Sequence, residues 1–497
     1  MSENKGSDLR EAPPDSLGQP ATPLPPATGE SPIPPVPDSL GQPAAPQPPD
    51  SLGQPAAPLP PDSLGQTATP LPPAIGSKVE GGGVTSAKGF RAAGIGAGFK
   101  KNGGLDCALV LSDRPCATAA VFTRNEFSAA PVALSRKHLG IYSGSPSAAG
   151  QSFGLAQAIV INAGNANAAT GEPGLRTARF TAGLAASLIG CETHEVLLAS
   201  TGVIGVVLGT EPFEEGLPQL LDRASTGGGH DAALAIMTTD THPKEYALRY
   251  ISADPAFAGC SFTLGGMAKG AGMIMPDMAT LIVAITTDAP LSPELAHEAL
   301  TQAVAVSFNK VSVDSDTSTN DSCFLMASGQ AAGLPSCAAF TRESPAFAEF
   351  VRALKEVCIG LALQIARDGE GATRLVTVKV EGAQTEADAD LAARAIANSP
   401  LVKTAIFGHD ANWGRVAMAI GKSGARFQQK DVSIDLMGIP VCRGGLAIAF
   451  DEEEALRRFE APDVAIEVDL GAGGASTTIF TCDFSYDYVK INGDYRT

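Results

Sequence analysis

Residues 270–289 read GAGMIMPDMATLIVAITTDA and place one hydroxyl residue, Thr280, between a flexible loop and a buried strand. The small residues 270–272 let the backbone turn freely, and Pro276 fixes φ shortly before the junction. The aliphatic run Leu281–Ile285 is short and bounded by Thr-Thr-Asp, a composition typical of a buried strand. A threonine at the start of such a strand is held rigidly, while the residue before it can be strained.

Those are the conditions for a self-cleaving precursor. In such a precursor the Thr280 hydroxyl attacks the Ala279 carbonyl and leaves Thr280 as a new N-terminus. The freed α-amino group then serves as the base for its own hydroxyl, because its unperturbed pKa lies near neutrality whereas a lysine is mostly protonated. Alanine-threonine before a strand is common, so this pattern alone leaves an ordinary strand start open as the alternative.

Composition narrows the class of protein. The 497 residues carry 35 Lys and Arg against 53 Asp and Glu, a formal charge of −18, which argues against nucleic acid and anionic membranes as partners. No apolar run is long enough to span a bilayer. The nine cysteines are scattered and contain no CxxC pair, so we expect neither a disulfide framework nor a metal site, and we expect a soluble protein of the reducing cytoplasm.

The chain divides into three segments. Residues 1–77 hold 21 of the 37 prolines and four copies of Asp-Ser-Leu-Gly-Gln, which predicts a disordered proline-rich tail. Residues 78–279 form the part before the junction, and residues 280–497 form the part that begins with Thr280.

Several short motifs are candidates for a site. In Ser200–Gly205 a hydroxyl stands beside a glycine N–H at a strand end, as an oxyanion hole requires. Lys269 is suited either to bind a carboxylate or to be a solvated loop lysine, and Glu370 between two glycines is either placed to point at a ligand or an ordinary exposed turn glutamate. The loop Asn162–Gly171 suits either an anion site or a tight strand-to-helix connection. The Ser, Thr and Asp residues of 312–321 predict a hydrogen-bonded turn network rather than a metal loop.

The secondary-structure patterns give further expectations. We expect separate short strands at Ala108–Leu111 and Thr118–Phe122, and a last strand at Tyr488–Ile491. Ser292 and Pro293 predict the start of a helix that runs to about Val306. A long helix is expected over about 345–366.

The order of these motifs resembles the glutamate N-acetyltransferase family of arginine biosynthesis, also called the ornithine acetyltransferase family. The resemblance runs from about Val84 to Thr497 and comprises KGFRAAGI, VFTRN, NAGNANAATG, STGVIG, MTTDTHPK, GGMAKGAGM, the MAT junction, DTSTND, DGEGAT, NWGR and YVKINGDYRT. Eleven matches in one order are far more specific than any single motif. They favour self-processing at Thr280 over an ordinary strand start.

The resemblance implies a role for each matched residue. Thr280 is implied as the autoprocessing residue and acyl-accepting nucleophile, and Thr201 and Gly202 as the oxyanion hole. The positions implied to bind the amino-acid substrate are Thr238, Lys269, Thr280, Glu370, Asn492 and Thr497. The implied fold is an α/β assembly of layered sheets and helices, that of an N-terminal-nucleophile-like self-processing acyltransferase.

The implied reaction is ping-pong: N-acetylornithine acetylates Thr280, ornithine departs, and glutamate takes the acetyl group without a cofactor. The implied assembly is an α2β2 heterotetramer of the two fragments. Whether acetyl-CoA is a second acetyl donor is left open. Departures from the family pattern are Asp277 in the junction loop, Ala169 in the Asn162–Gly171 loop, and the tail.

Three alternatives stay open. A related self-processing aminopeptidase or amidohydrolase would use water as the acceptor, against which the predicted carboxylate-binding residues argue. A relative from secondary metabolism would share the motifs and act on other acyl-amino acids. A non-enzymatic scaffold would require the nucleophile or the oxyanion residues to be lost, and they are present.

Overall fold

A computed structural model describes residues 75–143, 151–275, 281–335 and 338–494 of the chain. The predicted tail lies outside this range except for its last three residues. The predicted cleavage junction Ala279–Thr280 and the predicted substrate contact Thr497 also lie outside the described residues.

Two β-sheets form the framework of the described residues. The strands of the first sheet are β1 (Ser77–Lys78), β2 (Phe90–Ile95), β3 (Cys107–Phe122), β4 (Gln151–Asn165), β5 (Val196–Val203), β6 (Lys244–Ile251), β7 (Ser261–Lys269), β8 (Ile282–Thr287) and β9 (Ser322–Ala327). The strands of the second sheet are β10 (Leu375–Ala383), β11 (Ser433–Leu436), β12 (Ile439–Arg443), β13 (Leu446–Ala447), β14 (Asp463–Asp469) and β15 (Ala475–Cys482).

Helices cover these sheets. In chain order they are α1 (Ala130–Ser143), α2 (Gly171–Ile189), α3 (Glu211–Arg223), α4 (Gly229–Ala235), α5 (Pro293–Val306), α6 (Pro345–Arg367), α7 (Glu386–Ala397), α8 (Pro400–Phe407), α9 (Trp413–Gly421), α10 (Glu452–Arg458) and α11 (Tyr486–Gly493). The predicted α/β class with layered sheets and helices is confirmed. None of the described helices is long and apolar enough to span a bilayer.

The first sheet is mixed and has the order β1-β6-β7-β8-β9-β3-β4-β5, with β2 paired to β3. The pairs β8–β9 and β4–β5 are parallel, and the other pairs are antiparallel. The ends of β5 and β7 and the starts of β8 and β9 lie toward the same region of the sheet. The functional residues described below lie there.

The central strand β8 is buried on both faces. Val283 and Ile285 pack in the core formed with α5 and α6, while Ile282 and Ala284 pack in the core on the opposite face, which includes α4. Burial of one such valine or isoleucine contributes about 1.5–3 kcal/mol relative to exposure. This double burial explains why the strand reads as a continuous aliphatic run rather than an alternating one.

The helices predicted from cap signals are present. Ser292 accepts a hydrogen bond from Leu295 N at the start of α5, and Ser344 does the same for Phe347 N at the start of α6. Each helix carries proline in its first turn, where the missing N–H costs no helical hydrogen bond. Local chemistry therefore fixes both starts.

The prediction of two separate short strands within residues 108–122 is wrong in one respect, because the single strand β3 includes both. Residues 113–115 are exposed and interrupt the buried pattern, and the pairing with β4 shifts register between Leu111 and Cys116. The interruption is thus a bulge within one strand rather than a gap between two.

The strand predicted at Tyr488–Ile491 is also wrong, because these residues belong to α11. Ser485 caps this helix by accepting a hydrogen bond from Asp487 N, and its hydroxyl donates to Gly371 O at 2.6 Å. No residue of α11 is buried, so its apparent alternation of apolar side chains does not correspond to a sheet face. The helix lies instead against the loop that precedes β10.

Candidate active site

One cavity of about 280 Å³ opens where the strand ends of the first sheet meet the loop after α6 and the helix α11. The predicted site residues that line it are Thr201, Gly202, Thr238, Lys269, Glu370 and Asn492. These six residues come from five separate segments of the chain. The structure therefore brings together every predicted site residue that it describes.

The remaining predicted site residues, Ala279, Thr280 and Thr497, lie outside the described residues. Leu281, the first described residue after the predicted junction, lines the same cavity. The predicted nucleophile is therefore covalently bonded to a residue of the cavity wall.

Gly202 lies in a backbone conformation that only glycine adopts readily, with φ at +131°. A Cβ at this position would collide with the backbone of Gly164 and Asn165 on the neighbouring strand β4. The strand end carrying Thr201 and Gly202 can thus approach β4 closely, and both residues stay unobstructed at the cavity surface.

The side chain of Lys269, the last residue of β7, is buried and donates a hydrogen bond to Thr201 Oγ1 at 3.3 Å. Because Thr201 accepts this bond, its own hydroxyl proton stays available to an oxygen atom in the cavity. Burial lowers the pKa of Lys269, while the carboxylates of Asp240 and Glu370 oppose that shift. The lysine is a buried cation site into which a ligand carboxylate would fit.

Beneath this lysine lies a buried ion cluster that sequence reasoning did not identify. Lys244 Nζ lies 2.6 Å from Asp240 Oδ1 and 2.5 Å from Asp368 Oδ2. Asp240 also accepts hydrogen bonds from the backbone nitrogens of Thr238, at 2.9 Å, and Gly270, at 2.7 Å. The cluster thereby joins the loop of Thr238 to the end of the strand that carries Lys269.

The charge state of Asp240 follows from these neighbours. Its burial opposes ionisation, but the positive charges of Lys269 and Lys244 outweigh burial and hold the pKa of this carboxyl below its ordinary range. The motif MTTDTHPK contained the signal, since an aspartate and a lysine four residues apart are a possible pair, although no helix or strand pattern joined them.

Glu370 contributes a carboxylate to another part of the cavity wall and is itself buried. Asn492 Nδ2 donates to Glu370 Oε2 at 2.8 Å, and Glu370 N donates to Ala271 O at 2.9 Å. A side chain at Gly272 would collide with the Glu370 carboxyl group, so the absence of a side chain there leaves room for this carboxyl group. The cavity therefore presents a buried carboxylate as well as a buried lysine to a ligand.

The network predicted at residues 312–321 is confirmed. Asp314 accepts hydrogen bonds from Met273 N and Ile274 N, and Asn320 Nδ2 donates to Ala166 O and Ser200 O. This network connects the segment before the predicted junction and the end of β5 to the same loop. Asp321, at the end of that loop, lines the cavity and was given no separate role by sequence reasoning.

The polar side chains of the Asn162–Gly171 loop form hydrogen bonds to one another and to the start of the following helix. Asn167 Nδ2 donates to Gly174 O at 3.0 Å, Thr170 Oγ1 donates to Asn167 Oδ1 at 2.9 Å, and Asn165 Oδ1 accepts from Asn167 N. Of the two interpretations left open, these bonds favour the tight strand-to-helix connection over the anion site.

The cavity lies at converging strand ends of a layered α/β fold and presents a buried lysine, a buried carboxylate and a strand end whose backbone requires glycine. These features define the class of α/β enzymes that act on small polar molecules. The chain belongs to the ArgJ family, whose family model matches residues 91–497.

The similar proteins align with this chain over nearly their whole length. The arginine biosynthesis bifunctional protein ArgJ of Thermosynechococcus vestitus is 44% identical over 431 residues, which is 84% of this chain and 98% of that protein. The protein of the same name from Symbiobacterium thermophilum is 47% identical over 418 residues, 84% of this chain and 99% of that protein. A solved structure of ornithine acetyltransferase complexed with ornithine, from Mycobacterium tuberculosis, is 37% identical, covers 41% of this chain and 99% of that chain, and has a TM-score of 0.35.

Proposed function

We propose that this protein is a glutamate N-acetyltransferase that moves the acetyl group of N2-acetylornithine to glutamate in arginine biosynthesis. The observation that carries the proposal is the single cavity that joins Lys269, Glu370 and the Thr201–Gly202 strand end. Relatives that match 84% of the chain are named as bifunctional proteins of arginine biosynthesis, which supports the same activity.

In the first half-reaction the Thr280 hydroxyl attacks the acetyl carbonyl carbon, and the α-amine of Thr280 takes the hydroxyl proton. The carbonyl oxygen becomes negative and is bound by the Thr201 hydroxyl and the Gly202 N–H. The carbon–nitrogen bond then breaks, ornithine leaves with a proton on its nitrogen, and acetyl-Thr280 remains.

In the second half-reaction the glutamate amine attacks acetyl-Thr280 and restores the free hydroxyl. Lys269 binds the α-carboxylate that donor and acceptor share, since its amine is desolvated and hydrogen bonded only through Thr201 among the described residues. Glu370 suits the side-chain ammonium group of ornithine, which glutamate lacks. One pocket used in turn by two substrates gives ping-pong kinetics.

The chemistry requires cleavage between Ala279 and Thr280, because an amide nitrogen has no basic lone pair to accept the hydroxyl proton. We propose that the fragments 78–279 and 280–497 stay associated, as an α2β2 heterotetramer in the cytoplasm. Free cysteines fit a reducing compartment, and the eight that the structure describes carry no disulfide.

The word bifunctional in the relatives' name supports acetyl-CoA as an additional acetyl donor. In that reaction the Thr280 hydroxyl would attack the thioester carbonyl carbon, the carbon–sulfur bond would break, and coenzyme A would leave as the thiol with the hydroxyl proton. Glutamate would again be the acceptor. No cofactor is needed in either case.

The test is to assay the purified protein with N-acetylornithine plus glutamate, with acetyl-CoA plus glutamate, and with N-acetylornithine alone. Parallel double-reciprocal lines and an acetyl adduct of about 42 Da on the fragment that begins with Thr280 are expected. Thr280→Ala should remain one uncut chain without activity. Release of acetate at the full rate without glutamate would identify a hydrolase instead, and an active intact chain would exclude Thr280 as an N-terminal nucleophile.

A further inference from the structure

The Asp321 carboxyl group is 2% exposed and lines the active-site cavity directly before β9. It lies beside the hydroxyls of Thr123 and Ser318 and the backbone N–H of Leu281. The next residue, Ser322, donates its backbone N–H to Leu281 O at 2.9 Å. Within the described residues its Oδ2 has no hydrogen-bond partner. A buried carboxyl oxygen without a partner is costly unless a group outside the described residues, or a ligand, completes it.

The surroundings of Asp321 favour a carboxylic acid over a carboxylate. Burial raises its pKa well above the ordinary value, and the Thr123 and Ser318 hydroxyls, the Lys269 charge and the Leu281 N–H oppose this only in part. Lys269 on β7 is the cation that faces it across the cavity, and Glu370 lines the same cavity. From α1, Arg136 reaches the neighbouring Thr123 O at 3.3 Å.

The position of Asp321 is close to the proposed chemistry by covalent connection. The Leu281 nitrogen that contacts its carboxyl group is bonded to the carbonyl carbon of Thr280. The carboxyl group therefore lies beside the residue that follows the proposed nucleophile in the chain.

We infer that Asp321 is a catalytic acid that gives its proton to the nitrogen that leaves an acyl carbon at Thr280. This inference rests on the proposed function. It applies to two nitrogens: that of Thr280 when the precursor is cleaved, and that of the donor when ornithine departs.

The protons balance in both steps. During cleavage the Thr280 oxygen bonds to the Ala279 carbonyl carbon, the carbon–nitrogen bond breaks, and the nitrogen takes the proton of Asp321 while the hydroxyl proton returns to the carboxylate. Water then hydrolyses the resulting ester, which gives the Ala279 carboxyl group and restores the Thr280 hydroxyl. During transfer the Thr280 amine takes the hydroxyl proton, Asp321 protonates the departing ornithine nitrogen, and the amine passes its extra proton back to Asp321. The attack by glutamate runs this transfer in reverse. Lys269 stabilises the transient carboxylate.

Asp321→Asn tests the inference, since an amide keeps the shape and the hydrogen-bond acceptor but has no transferable carboxyl proton. Asp288→Asn is the matched control. Asp288 is also a buried aspartate whose pKa burial raises, and it accepts from Thr263 N at 2.8 Å. It follows the other end of β8, roughly 20 Å from Leu281 along the strand.

We expect Asp321→Asn to be cleaved, or to turn over once cleaved, at least a hundredfold more slowly than the wild type. Asp288→Asn should match the wild type in both measurements. In the wild type kcat should fall as pH rises through the pKa of Asp321, and any residual activity of Asp321→Asn should lack that limb. Asp321→Asn that folds, is cleaved and turns over like the wild type with the same pH profile would overturn the inference.

If Asp321→Asn does not fold, the precursor of Thr280→Ser replaces it, because serine keeps the hydroxyl but loses the methyl group that restricts χ1 and should therefore cleave more slowly. Its cleavage rate, followed from about pH 5 to about pH 9, should fall as the acid form of Asp321 is lost, and a rate that stays flat or rises throughout would overturn the inference. Failure of the proposed function would look different: the wild type itself would show neither cleavage at Thr280 nor an acetyl adduct.

Discussion

Replacing Lys269 with methionine should separate substrate binding from stability. Lys269 is 8% exposed, and within the described residues its ammonium group forms no ion pair within 4.0 Å; it donates only to Thr201 Oγ1. Methionine has a similar length and fills the same space without a charge. Removal of one partner of a buried charge pair costs about 2–5 kcal/mol, here the pair formed with the substrate carboxylate. That loss corresponds to a decrease in kcat/KM of roughly 30- to 4,000-fold.

The same substitution should change the free energy of unfolding little, because removal of a buried charge without an ion-pair partner within 4.0 Å offsets the loss of its attraction to Asp240. Lys244→Met is the matched comparison. Its ammonium group is fully buried between Asp240 and Asp368, so its removal leaves two buried carboxylates without their cation. That loss should lower the free energy of unfolding by about 3–5 kcal/mol.

The assay has two parts: kcat/KM for N-acetylornithine and for glutamate, and urea unfolding of the cleaved protein. We expect Lys269→Met to lose activity toward both substrates and to keep its stability, and Lys244→Met to lose stability first. Lys269→Met with kcat/KM within threefold of the wild type for both substrates would refute the assignment of the carboxylate site. A loss of stability equal to that of Lys244→Met would show that Lys269 is structural.

Three further changes test other parts of the site and the chain. Gly202→Ala should lower kcat by about a hundredfold or more, because a Cβ collides with Gly164 and displaces an oxyanion donor, and steady-state kinetics of the cleaved protein would measure it. Glu370→Gln should raise KM for N-acetylornithine roughly tenfold and KM for glutamate much less, and equal effects would contradict a role in binding the ornithine ammonium group. Deletion of residues 1–77 should leave turnover within about twofold, since their composition does not support a packed core, and a hundredfold loss would assign them to the site or the assembly.

The sequence predicted those elements whose signals are local. Ser292 and Ser344 each stand before a proline and cap a helix, and both helices begin there. The aliphatic run after Thr280 is a strand because its neighbours bury both faces. The elements that were predicted wrongly depend on distant contacts: β3 continues past three exposed residues because β4 pairs with it on both sides of a bulge, and α11 has no core to pack against.

The candidate site was predictable to the extent that motifs marked it. The motifs named the residues that line the cavity, but their spacing in the chain gave no sign that Lys244 joins Asp240 to Asp368, which is 124 residues away. Such a contact is set by how β6 and the end of α6 come together. It follows from the fold and not from any short pattern.

Asp240 and Asp321 show most clearly what the sequence does not contain. Both are buried aspartates within the field of Lys269, and each stands in a motif of small polar residues. Asp240 has a second lysine in direct contact and two backbone N–H donors, so its pKa is lowered and it stays a carboxylate. Burial raises the pKa of Asp321, which has no lysine in direct contact and one oxygen without a partner among the described residues, and this favours its protonated form. The pKa values of two buried aspartates near one lysine are therefore shifted in opposite directions, so that Asp240 is suited to be a structural anion and Asp321 a proton donor. Such a difference between neighbouring carboxyl groups allows acid catalysis at neutral pH.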